Sequence, residues 1–193
     1  MRLRYIVTAA TVFLAVGIAV GSVFLSGVLT SRAVQNPTLK LDMITTDGQI
    51  RRIVDISATE GHIVPTAVAY DGNFYVGNLN TFPIQEGSSK ILKITPSGEL
   101  KTFATGFTTI LGVAFDHQHR LYVLENTTGK PGPTPGTGKV LRIDHSGTVQ
   151  EIASGLSLPT AMTFGPDGNL YVSNVGFGPP PVGLGQVVKV EVP

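Results

Sequence analysis

The segment Pro65-Thr66-Ala67-Val68-Ala69-Tyr70-Asp71-Gly72-Asn73-Phe74-Tyr75-Val76 returns, little changed, as Leu158-Pro159-Thr160-Ala161-Met162-Thr163-Phe164 followed by Pro166-Asp167-Gly168-Asn169-Leu170-Tyr171-Val172. A third copy lies between them: Leu111-Gly112-Val113-Ala114-Phe115, a His117-Gln118-His119-Arg120 turn, then Leu121-Tyr122-Val123. Tyr75, Tyr122 and Tyr171 are thus 47 and 49 residues apart, a spacing typical of propeller blades, which run to roughly 40 to 50 residues. Downstream segments keep the same register. Lys90-Ile91-Leu92-Lys93-Ile94 corresponds to Lys139-Val140-Leu141-Arg142-Ile143 and to Gln186-Val187-Val188-Lys189-Val190. After the first two come the turns Pro96-Ser97-Gly98 and His145-Ser146-Gly147, then the alternating runs Leu100 to Phe103 and Val149 to Ile152.

Each unit therefore reads as four short antiparallel strands, A to D. Asp-Gly, Ser-Gly and Asp-Gly-Asn supply the positive φ that a tight turn between right-twisting strands needs. Alternation in the D strands suits a half-solvated outer strand, and the small apolar run Ala67-Val68-Ala69 suits a crowded inner one. The fold class expected is all-β: about three four-stranded antiparallel blades, part of a six-bladed architecture, behind an amino-terminal membrane helix or signal sequence. The boundaries expected are 1–33 for the membrane segment, 34–45 for a linker and 46–193 for the partial propeller. Within it the blades fall near 46–57 (partial), 58–106, 107–156 and 157–193. Residues 46–54 match a D strand, and Leu41 to Thr45 the tail of a C strand.

Taken in order, Val64-Pro65-Thr66-Ala67-Val68, Phe74-Tyr75-Val76-Gly77, Ala104-Thr105-Gly106-Phe107-Thr108, Leu121-Tyr122-Val123-Leu124-Glu125 and Pro166 to Asn174 resemble the carboxy-terminal half of the ScyD/ScyE family of propeller proteins. The chain is more loosely similar to proteins with NHL repeats. The resemblance covers Val64 to Val192, about two thirds of the chain. It implies a propeller displayed outside the cytoplasm and carries no settled chemistry.

Bulk composition narrows the function classes. Charged residues are only 14%, with 23 Gly and 13 Pro, which fits short strands joined by many turns. A net charge of +1 gives no electrostatic footprint for nucleic acid. With no cysteine, disulfides, thiolate nucleophiles and Cys-bound zinc are excluded. Tyr5 to Leu29 contains no charged residue; as a helix it would span roughly 37 Å against a bilayer core of about 30 Å. It reads as a membrane anchor with an exported domain, while Ser31-Arg32-Ala33 offers a cleavage site that would make the protein secreted. Gly17 and Gly21 form a small-xxx-small pair that would let two such helices approach.

Antiparallel strands alternate their connections between two faces. The A–B and C–D links are tight turns. The long links, Leu79 to Ser89, Thr127 to Gly138 and Val175 to Gly185, leave from the other face together with the D–A links near Glu60-Gly61-His62 and Gly106 to Thr109. Loop insertions concentrated on one side of a repeat array mark a binding face. On it the expected binding residues are Asn78, Glu125, Asn126, Asn174, Glu60 and His62. Asn78, Glu125 and Asn174 each follow the repeated Tyr by three positions, so their oxygens are candidate ligands for a hard cation such as Ca²⁺. The alternative is that they satisfy backbone groups where strands end. His117 and His119 align with a hairpin tip on the opposite face, and Asn126-Thr127-Thr128 is a glycosylation sequon.

No Gly-x-Ser-x-Gly elbow, P-loop or dinucleotide fingerprint occurs, and no catalytic set converges. The function expected is an extracytoplasmic binding or scaffold module with a protein or small-molecule ligand on the long-link face. The alternatives are a Ca²⁺-dependent lactonase- or lyase-like enzyme and a shortened remnant. Since propellers close with roughly four to eight blades, three blades leave two accounts open: a propeller shortened at the gene level, or a homodimer in which two arcs form one ring, each donating its early D strand.

Overall fold

The structure, a computed structural model, describes residues 40–128, 132–176 and 185–193. The apolar amino-terminal segment lies outside the described residues, among which no helix is long and apolar enough to cross a membrane. The strands are β1 (Lys40–Ile44), β2 (Ile50–Asp55), β3 (Pro65–Asp71), β4 (Asn73–Asn78), β5 (Ser89–Ile94), β6 (Leu100–Phe107), β7 (Ile110–Phe115), β8 (Leu121–Glu125), β9 (Gly138–Ile143), β10 (Val149–Leu156), β11 (Ala161–Phe164), β12 (Leu170–Asn174) and β13 (Gln186–Val190). One helical turn, α1 (Ser57–Glu60), interrupts them.

Four antiparallel sheets result: β1-β2, β3-β4-β5-β6, β7-β8-β9-β10 and β11-β12-β13. The two complete sheets are blades 1 and 2, and β11–β13 are strands A to C of blade 3. The fold is all-β and of propeller type. β1-β2 is the C–D hairpin of a preceding blade, because its turn repeats the bonding of the other C–D turns. Gly48 N–H donates to Thr45 O at 2.9 Å, Gly98 to Thr95 O at 2.9 Å and Gly147 to Asp144 O at 3.0 Å. In each, the side chain of the first turn residue also accepts an N–H four positions on: Gln49 to Thr45 Oγ1 at 3.0 Å, Glu99 to Thr95 Oγ1 at 3.0 Å and Thr148 to Asp144 Oδ1 at 3.0 Å. Ser, Thr and Asp favour such turns because a short polar side chain can replace a strand hydrogen bond.

Period-two alternation divides each inner strand between two blade interfaces. In β8, Leu121 and Val123 join Tyr75, Ile91 and Phe107 in the core between blades 1 and 2. Tyr122 and Leu124 join Val140, Leu170 and Val172 between blades 2 and 3. Phe74, Val76, Leu92 and Ile94 meet Leu41 of the leading hairpin and Ile56, which follows it at the start of α1. The repeated Tyr packs edge-on against the aromatic residue ending the next A strand: Tyr75 on Phe115 at 4.9 Å and Tyr122 on Phe164 at 5.1 Å between centroids. Such pairs add about 0.5–1.5 kcal/mol to area burial, so the interval of 47 and 49 residues is the distance between successive interlocking rings.

α1 was not expected from the sequence. Asp55 Oδ1 accepts the Ser57 hydroxyl at 2.7 Å, and Gly61 at φ 68° ends the turn. The first D–A link is thereby longer and differently aimed than the links Thr108-Thr109 and Ser157 to Thr160.

Candidate functional site

The strand ends that carry the register residues are gathered on the long-link face. Asn78, Glu125 and Asn174 close β4, β8 and β12 and are all buried. Bonds between neighbouring links tie this face together: Thr66 Oγ1 donates to Ile110 O, Gly87 N–H to Thr108 Oγ1 at 2.9 Å, and Thr109 N–H to Ser89 Oγ at 3.1 Å. The tight turns lie on the other face, where His119 Nδ1 meets Asp71 Oδ1 at 2.8 Å and His145 Nε2 meets Gln118 O at 3.2 Å. His117 is exposed there.

The register residues hold backbone. Glu125 Oε1 accepts Thr108 N–H, and Asn174 Oδ1 accepts Ser157 N–H at 2.8 Å; each donor lies 17 positions before its acceptor. Asn78 Oδ1 instead accepts Lys90 N–H at 2.7 Å, and its amide donates to Asn80. The α1 insertion explains the difference, since the link before blade 1 does not follow the path of the later two. Asn126 is buried; its Nδ2 donates to Pro159 O at 2.8 Å, and its N–H donates to Thr109 O at 3.0 Å. The amide of the sequon is therefore engaged inside the blade 2–blade 3 seam in this fold. Glu60 pairs with Lys90 Nζ, and His62 is exposed beyond it.

A second pattern, missed in the sequence, pairs the end of each B strand or D–A link with the start of a C strand. Lys90, Lys139 and Gln186 are equivalent. They meet Glu60, Glu125 at 3.6 Å and Asn174 at 3.3 Å respectively, so charged residues face charged ones and the amide faces an amide. The period of 49 residues relating Thr108 to Ser157 and Glu125 to Asn174 was a usable signal; the matched partners were not, because they come from different segments.

Glu125 differs from its equivalents in one respect. Its Oε2 is buried without a hydrogen-bond partner, because Lys139 Nζ stops 3.6 Å away. Burial pushes its carboxyl above the usual carboxylate range, opposed by the Thr108 N–H and the Lys139 charge. Glu125 is one of the residues that line a cleft of about 390 Å³ between blades 1 and 2, with Glu86, Gly87, residues 105–108, Thr128, Lys139, Leu141 and Val149. Among the described residues no three His, Asp or Glu side chains converge on one point. The amide oxygens of Asn78 and Asn174 already accept N–H groups, and Glu125 brings the single carboxylate of that set.

No family model matches the chain, and no curated protein does. Solved structures do. A luciferin-regenerating enzyme superposes with TM-score 0.53 at 15% identity, over 71% of this chain and 49% of its own. Virginiamycin B lyase from Staphylococcus aureus gives 0.49 at 20% identity, over 80% and 50%, and a streptogramin B lyase 0.47 at 18%, over 71% and 42%. The chain spans about half the length of these structures. At these identities the likeness is one of fold.

Proposed function

We propose that the chain is a noncatalytic binding module, carried outside the cytoplasmic membrane by its apolar amino-terminal segment and engaging its partner through the long-link face. The observation that carries this reading is that the described residues of two long links, between β4 and β5 and between β8 and β9, are braced by side-chain hydrogen bonds. Asn80 Nδ2 donates to Ser88 O at 2.7 Å and Oγ at 2.8 Å, which closes the link between β4 and β5. Thr127 Oγ1 meets Thr137 Oγ1 at 2.8 Å and accepts Thr134 N–H at 3.0 Å across the link between β8 and β9. Rigid loops lose less entropy on binding. The first of them also holds Phe82 with 62% of its surface exposed, an aromatic anchor of the kind that dominates interfaces.

The ScyD/ScyE resemblance supports a displayed propeller without adding a reaction. The test is capture of an envelope component by the full chain, compared with Phe82→Asp. Binding reduced at least tenfold by the substitution is expected. Turnover of a small substrate that is abolished by changes in these links would overturn the reading in favour of an enzyme.

A further inference from the structure

We propose that a second cleft between blades 1 and 2, opening on the tight-turn face, binds a neutral aromatic molecule of one or two rings. The cleft has a volume of about 390 Å³ plus half as much again, about 590 Å³, and its apolar wall includes Tyr75, Phe103, Phe115 and Val149, with turn residues Asp71, His119 and 144–147 beside them. Tyr75 packs edge-on against Phe103 at 5.0 Å and against Phe115 at 4.9 Å between centroids. Phe103 is nonetheless 41% exposed and Val149 47%, so this wall is open to solvent. The repeat supplies a comparison. Gly98 and Gly147 occupy equivalent C–D turns; a Cβ at Gly98 would lie 2.5 Å from Ile53 O, because β2 closes on that turn, whereas at Gly147 nothing lies within 4 Å. The corresponding cleft between the leading hairpin and blade 1 is accordingly smaller, about 270 Å³, and Arg51 and Arg52 line it.

The polar groups around the larger cleft are already engaged. Asp71 Oδ1 pairs with His119 Nδ1 at 2.8 Å, Asp144 Oδ1 accepts the Ser146 and Thr148 N–H groups at 2.9 and 3.0 Å, and His145 Nε2 meets Gln118 O at 3.2 Å. An anion would meet the carboxylates of Asp71 and Asp144, and no Lys or Arg lines the cleft to offset them. An ammonium would lose hydration against an apolar wall; beside Tyr75 it would also meet Lys93 Nζ, which lies 5.6 Å from the centroid of that ring. A neutral ring needs no countercharge. It covers Phe103 and Val149, and it extends the edge-to-face array, in which each pair adds to what area burial alone supplies. A single hydroxyl or N–H on it stays in water at the mouth. The volume falls within the range of small-molecule sites, roughly 300–1,000 Å³.

This site lies on the face opposite the long links, so it stands or falls apart from the binding reading above, and Phe82→Asp should leave it untouched. The experiment is equilibrium dialysis of the full chain in detergent micelles against indole and naphthalene-2-methanol, with empty micelles as the blank. Naphthalene-2-methylammonium, 2-naphthoate and the saturated decahydro-2-naphthol are contrasts of similar shape. Saturable binding of at least one neutral aromatic above the blank is expected, tighter than that of every contrast probe. Phe103→Ser and Val149→Glu should each weaken it about fivefold or more, the size of a lost ring contact. Val149 is largely exposed, so its substitution leaves the core in place and decides the matter even if Phe103→Ser fails to fold. The proposal is overturned if no neutral aromatic exceeds the blank, if a charged or saturated contrast binds as tightly, or if Val149→Glu binds as the unchanged chain does.

Discussion

Two buried residues in β8 show how little their positions reveal of their energetics. Tyr122 is fully buried between blades 2 and 3, and its hydroxyl has no hydrogen-bond partner. Its ring carries the packing on Phe164; its oxygen only costs desolvation. Tyr122→Phe should therefore be neutral or stabilising by up to about 1–2 kcal/mol, read from urea midpoints, whereas a loss above that size would show a hidden partner for the hydroxyl. Glu125 poses a pH question. Its pKa is raised in the folded state by burial, so it holds its proton to higher pH in the native than in the unfolded chain. Its contribution to stability is then fully present below the unfolded carboxylate pKa, about 4.3, and is lost as pH rises through the folded value. Glu125→Gln keeps an acceptor for Thr108 N–H and removes the titration. The stability of the parent minus that of the variant should fall between pH 4 and pH 7.5; a difference that grows over this interval would refute the assignment.

Between elements, the blades approach closely where side chains are smallest. Gly138 opens β9, and a Cβ there would lie 2.9 Å from Asn126 O and 2.6 Å from Pro159 Cδ. One neighbour is backbone and the other a rigid ring, so neither yields readily. Gly138→Ala should cost about 1–3 kcal/mol through overpacking and shift the melting temperature accordingly. Gly106→Ala is a useful contrast: it meets nothing within 4 Å but sits at φ 89°, so its cost comes from backbone conformation alone. Equal unfolding slopes with a lower midpoint would place the Gly138 effect in the folded state; an unchanged midpoint would mean that β9 slides outward freely.

Across the described residues, the main contacts between sheets join neighbours, β3 and β4 with β7 and β7 with β11, as in other repeat arrays. Blades 1 and 2 are covered on both faces by core clusters. The leading hairpin is covered on one, and Ile50 on β2 is 71% exposed. Amide exchange should therefore be slowest in β4, β5, β8 and β9 and fastest in β1 and β2. Uniform protection across all thirteen strands would contradict a chain of nearest-neighbour interfaces. The same layout bears on paired arcs. By register and turn chemistry β1 and β13 are both third strands of a blade, and β1 already lies beside blade 1 with Leu41 buried there. In a six-bladed ring of two copies, β13 of one copy and β1 of the other would meet at the same position. Exchange of β2 would therefore require β1 to move aside.

The repeats, their strands and the tight turns were legible in the sequence because they are local and periodic. Thr45, Thr95 and Asp144 cap equivalent turns within four residues of themselves, and alternation within five or six residues assigns each strand two faces. That Asn78, Glu125 and Asn174 end equivalent strands was legible for the same reason. That they hold backbone where strands end was one of the two readings the sequence offered; which backbone groups they hold was not legible. Glu125 and Asn174 hold donors 17 residues earlier, while the α1 turn leaves Asn78 with a different partner. Glu125 and Lys139 face each other as cross-strand partners within blade 2, but the burial of the carboxylate and its bond from Thr108 N–H come from the link that leads out of blade 1. Burial and the distances between segments far apart in the chain are set by that packing, which no local pattern encodes.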